Sequence, residues 1–270
     1  MSLSTPISVP TRASFMRRMQ WTISDTLVIT RRNLIHYRRQ PQLIVFSTIQ
    51  PVMFVLLFAF VFGGSISTPD GDYINFLLPG ILVQTVLFGS TQISVGLAED
   101  LSKGMIDRFR SLPMARAAVL AGLTLAGTIR NVFVVFLMII VGYIIGFRFQ
   151  DGIVSALLGI GLVVLFGYAF SWIAALIGLM VKNAETAQVA GFIWLFPLVF
   201  ASGIFVPTQT MPDGLRIFAE NQPITAVVNA VRAFTLGGPK SDVWLALAWL
   251  TAIWVVFAFL AVRQYRRVSG

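Results

Sequence analysis

The sequence has little charge, few acids and no cysteine. Its 270 residues include no Cys, one His and 11 Asp or Glu, and only 11% of all residues are charged. The absence of Cys excludes disulfides, thiol catalysis and zinc-thiolate sites. The single His36 cannot support a histidine-rich metal site or most acid–base constellations. Such low charge also cannot solvate the surface of a soluble domain of this length.

Apolar residues take the place of the missing charge. They make up 57% of the chain, and the mean hydropathy is +0.83. These values predict an all-α polytopic membrane protein. A membrane-spanning helix needs about 20 apolar residues, and six runs meet this requirement: Leu43–Phe62, Asn75–Ala98, Ala117–Phe147, Ile153–Val181, Ala187–Val206 and Val243–Val262. Pro51 and Pro197 lie inside two of these runs and predict kinks.

The chain before these runs is polar and basic. Residues 1–13 are rich in Ser, Thr and Pro, and we expect them to be flexible. Residues 14–40 predict an amphipathic helix at the membrane surface, whose apolar arc includes Ile23 and Leu27. Its arginines would contact lipid phosphates rather than nucleic acid, and they include Arg31, Arg32, Arg38 and Arg39. Residues 41–270 then form a six-helix transmembrane domain.

The basic residues are distributed unevenly between the two sides of the predicted bundle. Fifteen of the 20 Lys and Arg residues lie before the first run, in the second and fourth connections, or in the C-terminal tail. Basic residues concentrate on the cytoplasmic side of membrane proteins. Both termini are therefore predicted to be cytoplasmic.

The second connection is a charged and amphipathic segment, Glu99–Arg116. Leu101, Met105 and Phe109 fall on one side of a helical wheel, and Pro113 would end the helix. This pattern predicts a short helix at about 99–113 that presents Met105 and Phe109 to a soluble partner. An amphipathic connecting loop is the alternative.

Two further short helices are predicted before the last run, at about 211–237. The first, Pro212–Glu220, has Arg216 and Glu220 four residues apart, the spacing of an ion pair. The second, Pro223–Leu236, begins at a proline and ends before two glycines. Because neither can span a membrane alone, we expect a re-entrant pair on the outer side, buried against protein.

The distribution of acids excludes several functional classes. All 11 carboxylates lie in connections or at the ends of apolar runs, which argues against a proton- or sodium-coupled carrier. The sequence contains no G-x-x-x-x-G-K-[ST] motif for ATP, and no Ser–His pair or twin acids inside the runs. We therefore predict that the chain is not an enzyme and holds no cofactor or metal of its own.

Arg130 is the one basic residue placed inside an apolar run. A charge at membrane depth indicates function by default, but we interpret Arg130 as reaching back to the inner head groups. Gln50, Gln84 and Gln92 also lie within apolar runs. With Arg130 they are candidate residues of a transport path or a subunit interface, and hydrogen bonding between neighbouring helices is the alternative.

Several short motifs occur in a specific order, although each is common by itself. They are Tyr73-Ile-Asn-Phe-Leu-Leu-Pro-Gly80, Arg108-Phe-Arg-Ser-Leu-Pro-Met114, Val141-Gly-Tyr-Ile-Ile-Gly-Phe147, and Asn221-Gln-Pro-Ile-Thr225 followed by Arg232 and Gly237-Gly238. With these motifs, residues 20 to 267 resemble the type-2 ABC exporter permeases. More narrowly, they are similar to the daunorubicin/doxorubicin-resistance permeases of actinobacteria. Gln222 departs from the broader family, which often has Asn-Pro directly.

The resemblance implies the membrane subunit of an ATP-driven exporter in a bacterial inner membrane. Its cargo would be hydrophobic or amphiphilic: a drug, a lipid or a polyketide-like molecule. Two copies of a separate ABC ATPase would hold ATP and Mg, and a second permease copy or a related permease would complete a path along the first, second and fifth spans. The implied coupling residues are Glu99, Leu101, Met105, Arg108, Phe109 and Arg110, and the implied outer-gate residues are Arg216, Glu220 and Arg232.

Other functions fit the same sequence less well. An exporter of polysaccharides or lipid-linked glycans would carry aromatic residues along its path, but the 6 Trp and 5 Tyr are scattered. A membrane scaffold without transport activity would bind partners without substrate-stimulated ATP turnover.

Overall fold

The described chain is built from helices. The structure, a computed structural model, describes residues 15–39, 41–63, 72–105 and 116–268, and these ranges contain no β-strand. The predictions for residues 1–13 and for Arg108, Phe109 and Arg110 lie outside the described residues. In chain order the helices are α1 (Phe15–Arg39), α2 (Pro41–Leu57, followed by a π-helical segment Phe58–Phe62), α3 (Tyr73–Ser102), α4 (Arg116–Ile145), α5 (Gly152–Met180), α6 (Ala184–Phe200), α7 (Asp213–Glu220), α8 (Pro223–Leu236) and α9 (Ser241–Val268).

Four of the described helices, α3, α4, α5 and α9, are long and apolar enough to cross a membrane. They agree with the prediction of a multi-pass membrane protein. The first and fifth predicted spans correspond to shorter apolar helices, Ser47–Phe62 and Ala184–Phe200. Helix length therefore supports four spans, and the count of six remains a prediction.

The fifth predicted span is longer than the helix observed there. The prediction was Ala187–Val206, whereas α6 ends at Phe200 and turns follow it. Buried turns leave backbone groups that need partners, and the side chain of the next helix supplies one. The backbone N–H of Gly203 donates to Thr225 Oγ1 of α8 at 3.1 Å. Tertiary partners of this kind are not visible in the hydropathy of the segment.

Helix α3 lies at the centre of the bundle and contacts α4, α5, α6 and α8. Glycines allow the backbones to approach each other closely. A Cβ at Gly80 of α3 would lie 2.7 Å from Ile204 O, and one at Gly178 of α5 would lie 2.7 Å from Ser94 O. Small residues at these positions permit the close helix packing that is common in membrane bundles.

Two short helices occupy the segment in which two were predicted. Helix α7 begins at Asp213, one residue after the predicted start at Pro212. Helix α8 begins with Pro223 in its first turn. Gly237 and Gly238 follow α8 with positive φ angles of 88° and 122°, a backbone conformation that glycine adopts readily. Helix α8 packs against α3, α5 and α9, so it is buried against protein as expected.

Helix α1 packs along the first half of α4. Thr30 Oγ1 donates to Gly122 O at 3.2 Å, and Ile29 and Thr30 are buried. A Cβ at Gly122 would lie 2.6 Å from the Cβ of Ile29. Ile23 and Leu27 of the predicted apolar arc do not make this contact, since both are exposed. The threonine side of α1 therefore faces the protein, because threonine hydroxyls can bond carbonyls of a neighbouring helix.

Candidate functional site

A polar cavity of about 200 Å³ lies among α2, α3, α4 and α6. The four residues predicted for a path or interface all line it, although they come from three different helices: Gln50, Gln84, Gln92 and Arg130. Five more polar residues line the cavity: Ser47, Thr85, Thr91, Asn131 and Gln188. Polar groups that converge inside an apolar bundle are typical of a ligand or transport site. The function of these residues remains a prediction.

Arg130 is buried among the helices of the bundle. Only 4% of its surface is exposed. Its Nη2 donates to Gly89 O of α3 at 2.6 Å and to Asn131 Oδ1 at 3.2 Å, and the guanidinium lies 5.6 Å from the ring centre of Tyr37 in α1. Snorkelling was therefore the wrong interpretation. The neighbouring α3 provides a carbonyl acceptor and, at Gly89, space for the guanidinium. The sequence of α4 alone cannot indicate either feature.

Gly89 creates the position that the arginine occupies. A Cβ at this residue would lie 2.3 Å from Asn131 Oδ1 and 3.0 Å from Arg130 Nη2. Asn131 is itself held to α3, because its Nδ2 donates to Val86 O at 3.3 Å. Any larger side chain at Gly89 would displace the Arg130–Asn131 pair.

Two polar atoms at the cavity lack a hydrogen-bond partner among the described residues: Arg130 Nε and Gln84 Oε1. Gln84 is 2% exposed. Across the described ranges, the ion pairs involve other basic residues, and no carboxylate pairs with Arg130. A buried charge without a counter-ion is costly, and a buried polar group without a partner is uncommon. The cavity thus has a positive charge and unused hydrogen-bonding capacity.

The C-terminal end of α3 differs from the predicted coupling helix. Glu99 and Leu101 lie in the last turn of α3, which ends at Ser102. Gly104 then has a φ of 65°, and helical conformation resumes at Met105. A single helix over about 99–113 is therefore wrong at its start, because the glycine permits a left-handed turn that breaks it. Leu101 and Met105 are half-buried.

Charged pairs surround this end of α3. Lys103 Nζ lies 2.9 Å from Glu99 Oε2, and this hydrogen bond raises the pKa of the Lys103 ammonium above its ordinary value. Arg32 of α1 lies 3.4 Å from Asp100, which ties α1 to α3. The other three arginines predicted for the surface helix are exposed: Arg31, Arg38 and Arg39.

The three residues predicted for an outer gate belong to two separate arrangements. Arg216 Nε donates to Glu220 Oε1 at 2.8 Å on exposed α7, and this bond lowers the pKa of Glu220 below its ordinary value. Arg232 of α8 is instead buried. Its Nε donates to Phe76 O at 2.9 Å and its Nη2 to Ile204 O at 3.0 Å. The guanidinium also lies 3.5 Å from the ring centre of Phe76.

Comparison with known protein families identifies this helical bundle. Residues 24–236 match the family model described as the ABC-2 type transporter. The chain belongs to the ABC-2 type transporter family. This membership confirms the resemblance and makes the chain a permease subunit of an ABC transporter, a multi-pass membrane protein that works with an ATP-binding partner. In such transporters the ATPase is a separate chain.

Individual relatives of this ABC-2 permease align over most of its length. It is 31% identical over 249 residues to a daunorubicin resistance ABC transporter permease of Streptomyces coeruleorubidus, with 92% of this chain and 88% of the relative covered. It is 27% identical over 250 residues to a doxorubicin resistance ABC transporter permease of Mycobacterium tuberculosis, with 92% and 90% covered. A transport permease of Cyanophora paradoxa is 28% identical over 221 residues, with 78% and 73% covered.

Sequence reasoning missed part of the permease cavity. Gly89, Asn131 and Gln188 were not among the predicted site residues, and Tyr37 was assigned only to the surface helix. Asn131 follows Arg130 directly, and a polar pair within an apolar run was an available signal. Gly89 gave no comparable signal, because its importance depends on its contact with another helix.

Proposed function

We propose that this chain is the transmembrane subunit of an exporter that moves hydrophobic or amphiphilic compounds, drugs among them, out of the cytoplasm or the inner leaflet. The polar cavity carries the proposal. It lies among α2, α3, α4 and α6, which correspond to the first, second, third and fifth predicted spans. A polar site surrounded by apolar helices suits the passage of amphiphilic molecules. The names of the Streptomyces and Mycobacterium relatives also support a drug as cargo.

The finer topology is part of the same proposal. The chain crosses a bacterial inner membrane six times, with α2 and α6 as the two shorter spans and with both termini in the cytoplasm. Helix α1 rests at the inner surface with its exposed apolar residues, Ile23 and Leu27 among them, towards lipid. The pair α7 and α8 closes the outer side. Two permeases and two ATPase copies form the working transporter, and ATP and Mg²⁺ belong to the ATPase.

We place the docking site of the ATPase at the connection after α3, with α1 as its neighbour. Arg32 and Asp100 join these two elements at 3.4 Å, so movement of one is transmitted to the other. Met105 is half-buried directly after the turn at Gly104. Apolar anchors surrounded by charges are typical of protein–protein contacts.

Affinity purification of the tagged chain in mild detergent tests this docking site. Wild type is compared with Met105→Glu/Phe109→Glu, and Lys182→Glu in another predicted cytoplasmic connection serves as the charge-change control. We expect mass spectrometry to find an ABC ATPase with wild type and with the control, and its loss with the double variant. Retention of the ATPase by a folded double variant would refute the proposed docking site.

Export itself requires a transport measurement. In cells that contain the ATPase partner, wild type is expected to lower the accumulation of a neutral fluorescent amphiphile such as Nile red, and the double variant is expected not to. Loss of ATP should abolish this efflux, whereas loss of the proton gradient alone should not. Efflux that follows the proton gradient would contradict an ATP-driven exporter. Binding of the ATPase without any efflux would favour the scaffold.

A further inference from the structure

We propose that the cavity around Arg130 binds the acidic head group of an amphiphile. This inference rests on the proposed function, because it assigns a substrate class to the same path. The head group is a carboxylate or a phosphate, and the guanidinium of Arg130 is the group that binds it. Gln84 supplies the second polar contact.

The charge of the cavity selects an anion. Arg130 is the only charged residue among those that line the cavity in the described part of the chain. The residues placed around its guanidinium are neutral: Gly89, Asn131 and Tyr37. An opposite charge on a ligand would compensate the buried cation, whereas an amine would add a second positive charge at short range.

The unused hydrogen-bonding groups support a head group that both accepts and donates. Arg130 Nε is an unpartnered donor, and Gln84 Oε1 is an unpartnered acceptor. A guanidinium binds carboxylate and phosphate oxygens through charge-assisted hydrogen bonds. A hydroxyl or amide next to the acidic group would donate to Gln84. Both residues line the same cavity, although the two atoms themselves are buried, so a bound ligand would meet them once these side chains turn towards it.

The remaining lining suits an apolar tail. Phe88 of α3 and Phe192 of α6 both line the cavity, with their ring centres 5.6 Å apart, and Val134 contributes a further apolar surface. Aromatic and aliphatic side chains bury hydrocarbon, while the polar groups fix its orientation. The combination of an apolar wall and a single cation defines an acidic amphiphile rather than a small inorganic anion.

The first test measures binding by the full-length protein in nanodiscs of phosphatidylcholine, which has no net charge. The probes are dansyl-undecanoic acid, its primary amide and the corresponding amine, which share one tail. We expect wild type to bind the acid about tenfold more tightly than the amide, the effect of roughly one favourable charge interaction, and the amine most weakly. Equal binding of all three probes would overturn the proposal.

Variants identify the group responsible. Arg130→Gln should remove the preference for the acid, and Arg130→Lys should retain part of it. Arg148→Gln removes one exposed positive charge outside the cavity and should leave the preference unchanged. A preference for the acid that survives in Arg130→Gln would refute the assignment.

A second variant, Gln92→Glu, tests the proposal even if Arg130→Gln does not fold. Gln92→Glu leaves Arg130 in place and adds a carboxylate to the lining of the cavity. It should reduce the preference for the acid several-fold by occupying the guanidinium. An unchanged preference in folded Gln92→Glu would count against the proposal as directly as the Arg130 result.

The head group could belong to a membrane lipid or to a soluble amphiphile, and a competition experiment separates them. Phosphatidylglycerol in the nanodisc should weaken binding of the acid probe to wild type, but not its residual binding to Arg130→Gln, if the site takes anionic lipid. Unchanged affinity would assign the site to an amphiphile from solution. Failure of the charge preference while the ATPase still co-purifies and efflux continues would reject this inference alone and leave the exporter intact.

Discussion

Two arginines buried in the bundle donate hydrogen bonds to the same central helix, but their surroundings differ. Arg232 in α8 donates to two carbonyls, Phe76 O and Ile204 O, and its guanidinium stacks on Phe76. Arg130 in α4 donates through one nitrogen to Gly89 O and to the adjacent Asn131, and its Nε lacks a partner in the described structure.

The difference separates an arginine whose hydrogen bonds are used within the fold from one that we propose binds a ligand. Arg232 connects α8 to α3 and to the turns after α6, so most of its hydrogen-bonding capacity is used within the fold. Arg130 lines a cavity and retains capacity for a ligand. Burial alone therefore does not distinguish the two roles. The informative quantity is the number of polar atoms that the fold leaves unsatisfied.

The largest expected effect is the difference in stability between the two arginines when each is replaced by Gln. Arg232→Gln should lower the free energy of unfolding by about 3 kcal/mol, because two charge-assisted hydrogen bonds are weakened and a carbonyl is left buried without a donor. Arg130→Gln should change it by less than about 1 kcal/mol, because loss of the two hydrogen bonds from Nη2 is offset by removal of an uncompensated charge. Thermal unfolding in detergent measures both.

Transport should show the reverse order once folding is controlled. Folded Arg130→Gln should lose most efflux of dansyl-undecanoic acid, whereas folded Arg232→Gln should retain this efflux in proportion to the amount of protein in the membrane. Equal stability losses at the two positions would remove the distinction between a structural and a functional arginine.

The glycine beneath Arg130 offers a second test. Gly89→Ala should destabilise the protein by about 1–3 kcal/mol and impair efflux, because its Cβ would lie 2.3 Å from Asn131 Oδ1. Gly96→Ala on the same helix is the matched control, since nothing lies within 4 Å of its Cβ position. It should stabilise α3 by about 0.5–1 kcal/mol, the usual gain of Ala over Gly in a helix. Equal changes in stability for Gly89→Ala and Gly96→Ala would show that the absence of a side chain at Gly89 is unimportant.

A smaller effect is expected at the C-terminal end of α3. The Arg32–Asp100 pair is partly exposed, with side-chain exposures of 38% and 22%, so solvent weakens it. A double-mutant cycle with Arg32→Ala and Asp100→Ala should give a coupling energy of about 0.2–1 kcal/mol in unfolding. Loss of ATPase binding in both single variants, with partial recovery in the charge-swapped Arg32→Asp/Asp100→Arg, would support the link between α1 and α3. A coupling energy of zero would show that this ion pair does not link α1 to α3.

The smallest effect concerns the protonation of Asp151, which directly precedes α5. Hydrogen bonds from Ser155 and Lys240 lower the pKa of Asp151, and Lys240 lies 3.0 Å from its carboxylate. A lowered pKa means that the stabilisation is present at neutral pH and is lost as pH falls below about 4. Asp151→Asn should therefore reduce the melting temperature slightly at pH 7 and not at pH 3. The same reduction at both pH values would assign the effect to packing.

Sequence reasoning was most successful where local order decides structure. Pro223 and the glycines at 237 and 238 bound α8 as predicted, because proline and glycine act through their own backbone geometry. Sequence reasoning failed where a single backbone angle interrupts a continuous amphipathic helical pattern. The apolar side that includes Leu101 and Met105 continued across Gly104 in the sequence, but the positive φ of that glycine separates the end of α3 from Met105.

The predicted path residues illustrate an intermediate case. Polarity within apolar runs was sufficient to select Gln50, Gln84, Gln92 and Arg130, and the structure brings all four to one cavity. Their partners were not accessible by the same reasoning. Gly89 O is 41 residues from Arg130 along the chain, and only the packing of α3 against α4 brings them together.

Composition and periodicity alone determined that this chain is an all-helical membrane protein, and its motifs were sufficient for the permease family. These properties depend on residue counts and on local order, which a sequence displays directly. The tertiary structure decided that Arg130 is buried beside a polar cavity while Arg232 secures the outer helices. Both residues are arginines in helical segments, and their roles differ because the carbonyls, glycines and cavities around them come from distant parts of the chain.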